Sequence, residues 1–169
     1  MNVVLVANFG SFNIKGFALD AEGDATPTVF IDDLGDTGAS VWDILYVAET
    51  DTLYAAGTGG DILAYDNFSQ DLGNNGVRIV SPSNADLEKV TINLHGLAYD
   101  AASDTLIVTD VGAADDATDG HIYAVPSISS AEGNTTVSLH ILGEESMLGN
   151  PVDVAWDGSG LYVAEKANS

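Results

Sequence analysis

Four aspartates crowd one glycine-containing stretch, Asp110-Val111-Gly112-Ala113-Ala114-Asp115-Asp116-Ala117-Thr118-Asp119-Gly120. Carboxylates on a loop that can fold back on itself suit a hard cation such as calcium, which takes about six to eight oxygen ligands. Asp110, Asp115, Asp116 and Asp119 are therefore candidate calcium ligands. Asp115, Asp116 and Asp119 stand foremost, with the carbonyls of Gly112 or Gly120 beside them. The spacing lacks the alternating acids of an EF-hand loop, so a solvated acidic turn is the competing reading. His95 is a candidate general base, because an unperturbed imidazole titrates near neutral pH. A lone histidine on an otherwise apolar strand is more often a structural residue with its hydrogen bonds satisfied. His121 and His140 fall on outer strands, away from His95. The chain has no Gly-x-Ser-x-Gly elbow, no Walker loop and no histidine pair at zinc spacing. Serine-hydrolase, nucleotide and zinc chemistry are therefore disfavoured.

The elements that must position these residues repeat along the chain. Gly149 to Asn168 (GNPVDVAWDGSGLYVAEKAN) holds two alternating apolar runs on either side of an Asp157-Gly158-Ser159-Gly160 turn. Period-two alternation flanking a glycine turn predicts a β-hairpin. The same hairpin recurs at Val41–Gly57 and at Leu94–Asp110. Aligned, the hairpins place Ile44, Leu97 and Val154 in one column. Tyr46, Tyr99 and Trp156 make a second, and Leu53, Leu106 and Leu161 a third. The leucines are 53 and 55 residues apart.

Each repeat is expected to carry four strands, a to d. Residues 41–47, 52–57, 61–66 and 77–80 make one set, and 94–99, 105–110, 121–125 and 137–142 a second. Strands at 151–156 and 160–165 open a third. The chain begins at strand b, with Val4 in the leucine column, Ile14 matching Ile62 and Ile122, and Phe17 matching Tyr65 and Val125. Four antiparallel strands per unit at a period near fifty describe the blades of a β-propeller. The expected fold is all-β, with about three four-stranded blades per chain. The divisions are a partial blade at 1–35, blades at 40–82 and 92–143, and a partial blade at 149–169. A β-sandwich is the alternative. Helix is all but absent from the pattern, with one turn at most over 85–89.

Two stretches resemble known propeller families. Asp157-Gly158-Ser159-Gly160-Leu161-Tyr162-Val163-Ala164 is similar to the strand-turn-strand signature of NHL repeats. Leu5 to Phe17 (LVANFGSFNIKGF) resembles blades of gluconolactonase-like (SMP-30) and YVTN lactonase-like propellers. The likeness is to structural motifs, which specify turns and blades rather than chemistry. It implies that polar side chains at the start of each strand a approach a central channel, where the metal-dependent members hold calcium or a similar cation. The equivalent pairs here are Trp42-Asp43, His95-Gly96 and Val152-Asp153. The family often has Asn-Gly or Asp-Gly at this place, and His95 departs from it. The resemblance makes Asp43, His95, Asn150 and Asp153 candidate catalytic residues. Polar strand residues bonded to neighbouring blades are the alternative.

The 169 residues include 26 Asp and Glu against four Lys and Arg, a net charge of −22. Such a surface repels nucleic acid and anionic membranes. It suits either an extracellular or secreted protein whose turns hold cations or the cytoplasm of a halophile, where salt screens self-repulsion. No cysteine is present, which removes disulfide, thiol and thiolate–metal chemistry. No signal peptide or apolar span of membrane length is visible, so no membrane insertion is expected. Asn67-Phe68-Ser69 and Asn134-Thr135-Thr136 match the N-glycosylation triplet.

The functional expectation is a non-catalytic binding or self-assembly module. Its terminal part-blades would be completed by another copy, and two chains would supply about six blades. A metal-dependent lactonase-like hydrolase is the alternative.

Overall fold

The computed structural model describes residues 2–168, so the outermost residues of the first and last expected divisions, 1 and 169, lie outside the described residues. Strand makes up 46% of the structure and helix 6%. The all-β expectation therefore holds.

Four sheets follow one another along the chain, and none closes on itself. The first contains β1 (Val3–Asn8), β2 (Asn13–Ala18) and β3 (Val29–Ile31). The second contains β4 (Val41–Val47), β5 (Thr52–Gly57), β6 (Ile62–Tyr65) and β7 (Arg78–Ser83). The third contains β8 (Leu94–Asp100), β9 (Thr105–Asp110), β10 (His121–Pro126) and an outer strand counted here as β12 (Leu139–Ile141). β11 (Gly133–Thr136) belongs to the second sheet, and the fourth is the hairpin β13 (Pro151–Trp156) and β14 (Leu161–Glu165).

The aligned columns become identical strand pairs. Tyr46 lies opposite Leu53, Tyr99 opposite Leu106 and Trp156 opposite Leu161. Likewise Val4, Leu53 and Leu106 face Phe17, Tyr65 and Val125. Each first strand also carries a register shift near its start, before Ile44, before Leu97 and at Asp153. An extra residue there bends the strand and re-aims the side chains beside it.

The sheets stack in chain order, with β1 against β4, β4 against β8 and β8 against β13. Burial follows from this. Ile14, Val29 and Ile31 of the first sheet meet Leu53, Ala55, Leu63 and Tyr65 of the second. The other face of the second sheet, with Tyr54, Ala56, Ile62 and Ala64, meets Leu97, Leu106, Val108 and Tyr123 of the third. β5 and β6 are consequently buried on both faces. Burial of two faces explains why Leu53 to Ala56 is a continuous apolar run rather than an alternating one.

Three features depart from expectation. Residues 85–89 form a turn, with the Asn84 side chain accepting the backbone N–H of Asp86 and Glu88. Among the described residues the one α-helical turn is α1 (Phe68–Asp71), whose Phe68 is buried, and short 3-10 turns lie at Phe9–Ser11 and Glu144–Ser146. The outer strand expected over 137–142 is found as Leu139–Ile141, paired with β10, and an additional strand that was not expected, Gly133–Thr136, runs parallel to β7 in the neighbouring sheet. Among the described residues no helix is long and apolar enough to cross a membrane.

Candidate functional site

The shifted starts of β4, β8 and β13 come together at one end of the stack. There Trp42, Asp43, His95, Val152, Asp153 and Lys166 line a cleft of about 420 Å³. Trp42, His95 and Val152 occupy one position of the repeat, and Asp43, Gly96 and Asp153 the next. The cleft is thus built by the same two positions in three successive sheets. Gly96 permits the close approach that this needs. A Cβ there would lie 2.7 Å from the Asp153 Cα and 2.8 Å from the Val154 nitrogen.

Asp43 holds two backbone donors. Its Oδ1 accepts the Ile44 N–H at 2.8 Å, and its Oδ2 accepts the Leu97 N–H of the next sheet at 2.9 Å. Burial raises its pKa above the ordinary 3.8, the two N–H groups pull it back, and the nearby Asp153 charge pushes it up. Asp153 repeats the first of these bonds, accepting the Val154 N–H at 2.8 Å.

His95 is buried and packs edge-on against the Trp42 indole, with ring centroids 4.5 Å apart. Phe9 continues the aromatic wall, its centroid 4.5 Å from that of Trp42. Burial, and then the Lys166 ammonium, lower the His95 pKa to about 4. At neutral pH the imidazole is therefore uncharged, an acceptor or weak base rather than an acid. The cleft combines an aromatic wall, a neutral imidazole, two carboxylates and one ammonium.

Asp43, His95 and Asp153 of the expected set are brought together. Asn150 is not among the lining residues, and its backbone N–H donates to Glu165 Oε1 at 2.9 Å. The four aspartates of the 110–120 stretch have separate tasks. Asp110 is buried and accepts the N–H groups of Ile92, Asn93 and Gly112, at 2.7, 3.1 and 2.8 Å. Asp116 Oδ1 accepts the Thr118 N–H and hydroxyl, and Asp119 Oδ2 accepts the Ala113 N–H. Asp119 Oδ1 is buried without a partner among the described residues, while Asp115 is exposed. Among the described residues no group of three or more His, Asp or Glu side chains is gathered at one point.

Two arrangements were not foreseen. In the second and third sheets a turn aspartate with positive φ, Asp51 or Asp104, accepts a tyrosine hydroxyl, from Tyr46 or Tyr99. The same carboxylate accepts the hydroxyl of Ser69 or Ser129 and so braces the loop beyond the third strand. The Asp-Thr-Leu triplets at 51–53 and 104–106 carry this signal. The second arrangement is a meeting of His121 with His140 across the third sheet's last two strands, where His121 Nδ1 and His140 Nε2 lie 2.9 Å apart, at hydrogen-bond distance. No protein-family model matches the chain, and no curated protein matches it.

Proposed function

We propose that the chain is a β-propeller module, of the kind that NHL and gluconolactonase-like blades build, which assembles with copies of itself through its first and last sheets. The observation that carries this reading is the exposure of repeat positions that are covered elsewhere in the chain. Val4, Leu53 and Leu106 are equivalent positions, of which Leu53 and Leu106 pack against the preceding sheet. Leu53 and Leu106 are 1% and 0% exposed, whereas Val4 is 49% exposed. At the other end Tyr162 is the counterpart of Tyr54, which lies fully buried under the third sheet. Tyr162 is 61% exposed.

Val6 and Phe30 are exposed beside Val4, and Ala155 and Ala164 beside Tyr162. Each terminal sheet thus presents an apolar face of the shape that buries the other inside the stack. Charge agrees: Lys15 sits between Val6 and Phe30, and Asp153 borders the Tyr162 face. β1 and β14 also each keep one strand edge unpaired among the described residues, which invites pairing with another chain. A second copy supplies both the face and the edge, joining head to tail into a ring or a filament.

Light scattering at micromolar concentration tests the reading. An assembly that Val4→Asp or Tyr162→Asp dissociates is expected. A folded monomer near 17.5 kDa overturns it.

Convergence of Asp43, His95 and Asp153 in one cleft favours a second reading, hydrolysis of a small lactone there. A resident calcium fits poorly, because both Asp43 oxygens already hold backbone N–H groups, and no step is routed through one. A lactone hydrolysis assay on the parent and on His95→Gln tests this reading. Equal rates in the two proteins would remove it.

A further inference from the structure

We propose that copies of the chain join by strand exchange: β1 of one copy takes the place of β14 beside β13 of another, and β14 is released. This rests on the self-assembly reading and says which strand makes the contact. β1 and β14 are the same strand of the repeat. With Val4 aligned to Leu161, Leu5-Val6-Ala7 falls on Tyr162-Val163-Ala164. Their burial is complementary. In β14 Leu161 and Val163 are part-covered while Tyr162 and Ala164 are exposed. In β1 Leu5 and Ala7 are part-covered while Val4 and Val6 are exposed. Each strand is covered on the face that the other leaves bare.

The pairing carries over position for position. β13 pairs Val154 with Val163, Ala155 with Tyr162 and Trp156 with Leu161. In the exchanged sheet Val6, Leu5 and Val4 stand in those places, on an edge of β1 that is unpaired among the described residues. Residues paired across a ladder point to the same face. Val4 and Val6 therefore join Val154, which is buried where β13 packs on β8 and β9 of the third sheet. Leu5 and Ala7 keep their cover on the second sheet of their own copy. The third sheet also needs what the exchange brings. Ile141 and Val80 are equivalent, each paired with the isoleucine of the strand before, Ile122 or Ile62. Val80 is 0% exposed, covered by the third sheet, whereas Ile141 is 39% exposed with Leu139 exposed beside it. The fourth sheet has no outer strands to cover them. Exchange supplies these as β2 and β3 of the second copy, giving a four-stranded sheet in the order β13-β1-β2-β3. Lys15 and Phe30 continue the row that Val6 begins, so the exposed Phe30 comes to the side where Leu139 and Ile141 lie. Lys15 puts a positive charge on the joining face of a chain of net charge −22, which favours contact with a second copy. The ladder on β13 is replaced strand for strand. What is given up is the grip of the Glu165 carboxylate on the N–H groups of Gly149, Asn150, Ala167 and Asn168. A two-stranded hairpin is marginal in water, and a sheet of four strands covered on both faces is not. Stacking of the two intact end sheets is the competing geometry.

Amide deuteration read by mass spectrometry decides between them. The parent is measured at a concentration where light scattering reports the assembly, with Val4→Asp as the single-chain reference. The amides of residues 161–165 are expected to deuterate about tenfold or more faster in the assembly than in the single chain, while those of residues 3–8 slow down. Stacking would protect both strands further. Leu5→Cys combined with Ala155→Cys gives a second readout, since the chain has no cysteine of its own. Residues paired on neighbouring strands lie within reach of a disulfide, so oxidation should link copies covalently. Ala155 is exposed and Leu5 part-buried, so the variant should fold. An assembly in which residues 161–165 stay protected, or which Val4→Asp leaves intact, overturns strand exchange and leaves self-assembly standing. A chain that remains single at every concentration overturns both.

Discussion

The Asp43 carboxylate accepts the backbone N–H of Leu97, 2.9 Å away and 54 positions further along the chain. Ile44, the residue beside Asp43, occupies the same column as Leu97. The bond therefore ties equivalent points of two successive sheets together at the lip of the cleft.

Asp43→Ala should cost about 1–3 kcal/mol, because two backbone donors lose their acceptor in a part-buried place. Asp43→Asn keeps one acceptor oxygen where two donors converge and should cost less. The pH dependence has a definite sign. The folded pKa of Asp43 lies above 3.8, chiefly through burial. Its contribution to stability is then fully present below the unfolded value and is lost as pH rises through the folded one. Asn cannot titrate, so the gap between parent and Asp43→Asn should widen on acidification from neutral pH. Urea melts across that range read it, and a constant gap would contradict the assignment.

Gly96→Ala should loosen the last hairpin. The new Cβ would meet main-chain atoms of Asp153 and Val154 at 2.7 and 2.8 Å, and a backbone cannot rotate away as a side chain can. Overpacking of this kind costs about 1–3 kcal/mol. Faster proteolysis within residues 151–165 is the local readout. An unchanged cleavage rate would show that β8 and β13 separate without cost.

The cleft and most strands were legible because they belong to the repeat. Once Ile44, Leu97 and Val154 are aligned, the pairs Trp42-Asp43, His95-Gly96 and Val152-Asp153 fall into line, and their convergence follows from sheet stacking. β11 was not legible. Gly133-Asn134-Thr135-Thr136 has no apolar alternation, and its strand character comes from the edge of β7 in another sheet. The meeting of His121 and His140 was hidden for a similar reason. They lie nineteen positions apart in the chain, and only the pairing of Tyr123 with His140 brings them onto one face. The braces at Asp51 and Asp104 depend on a left-handed turn conformation that residue types alone do not fix.

Salt should stabilise the chain. The net charge of −22 is spread through turns of all four sheets. Repulsion reaches about 30 Å at 0.01 M salt and about 3 Å at 1 M. The melting temperature should therefore climb with NaCl. Calcium chloride at matched ionic strength separates screening from site binding, since a further rise abolished by Asp115→Asn, Asp116→Asn and Asp119→Asn together would place an ion on that loop. A melting temperature flat across the whole range would mean that the carboxylates are too dispersed to repel.

Arg78 should prove the most sensitive of the four basic residues. Its Nε and Nη2 donate to Asp66 Oδ2 and Oδ1, both at 2.8 Å, a two-pronged grip on one carboxylate. Its Nη1 reaches the carbonyls of Ile128, at 3.2 Å, and Ala131, so it also clasps the loop that follows β10. One guanidinium thus joins the second sheet to the third. Its side chain is 14% exposed and that of Asp66 43%, so solvent screens part of the pairing. Arg78→Ala should cost about 1–3 kcal/mol, mostly from the charged hydrogen bonds. Arg78→Lys keeps the charge but not the fork, and should recover less than half of that loss. The Arg78 hydrogen bonds lower the Asp66 pKa below 3.8. The pair's contribution is then present above 3.8 and is lost as pH falls through the folded value. The gap between thermal melts of parent and Arg78→Ala should therefore narrow only in strong acid, and should not close, because the bonds to the Ile128 and Ala131 carbonyls do not titrate. If Lys restores full stability, charge alone holds the two sheets together and the forked geometry is incidental.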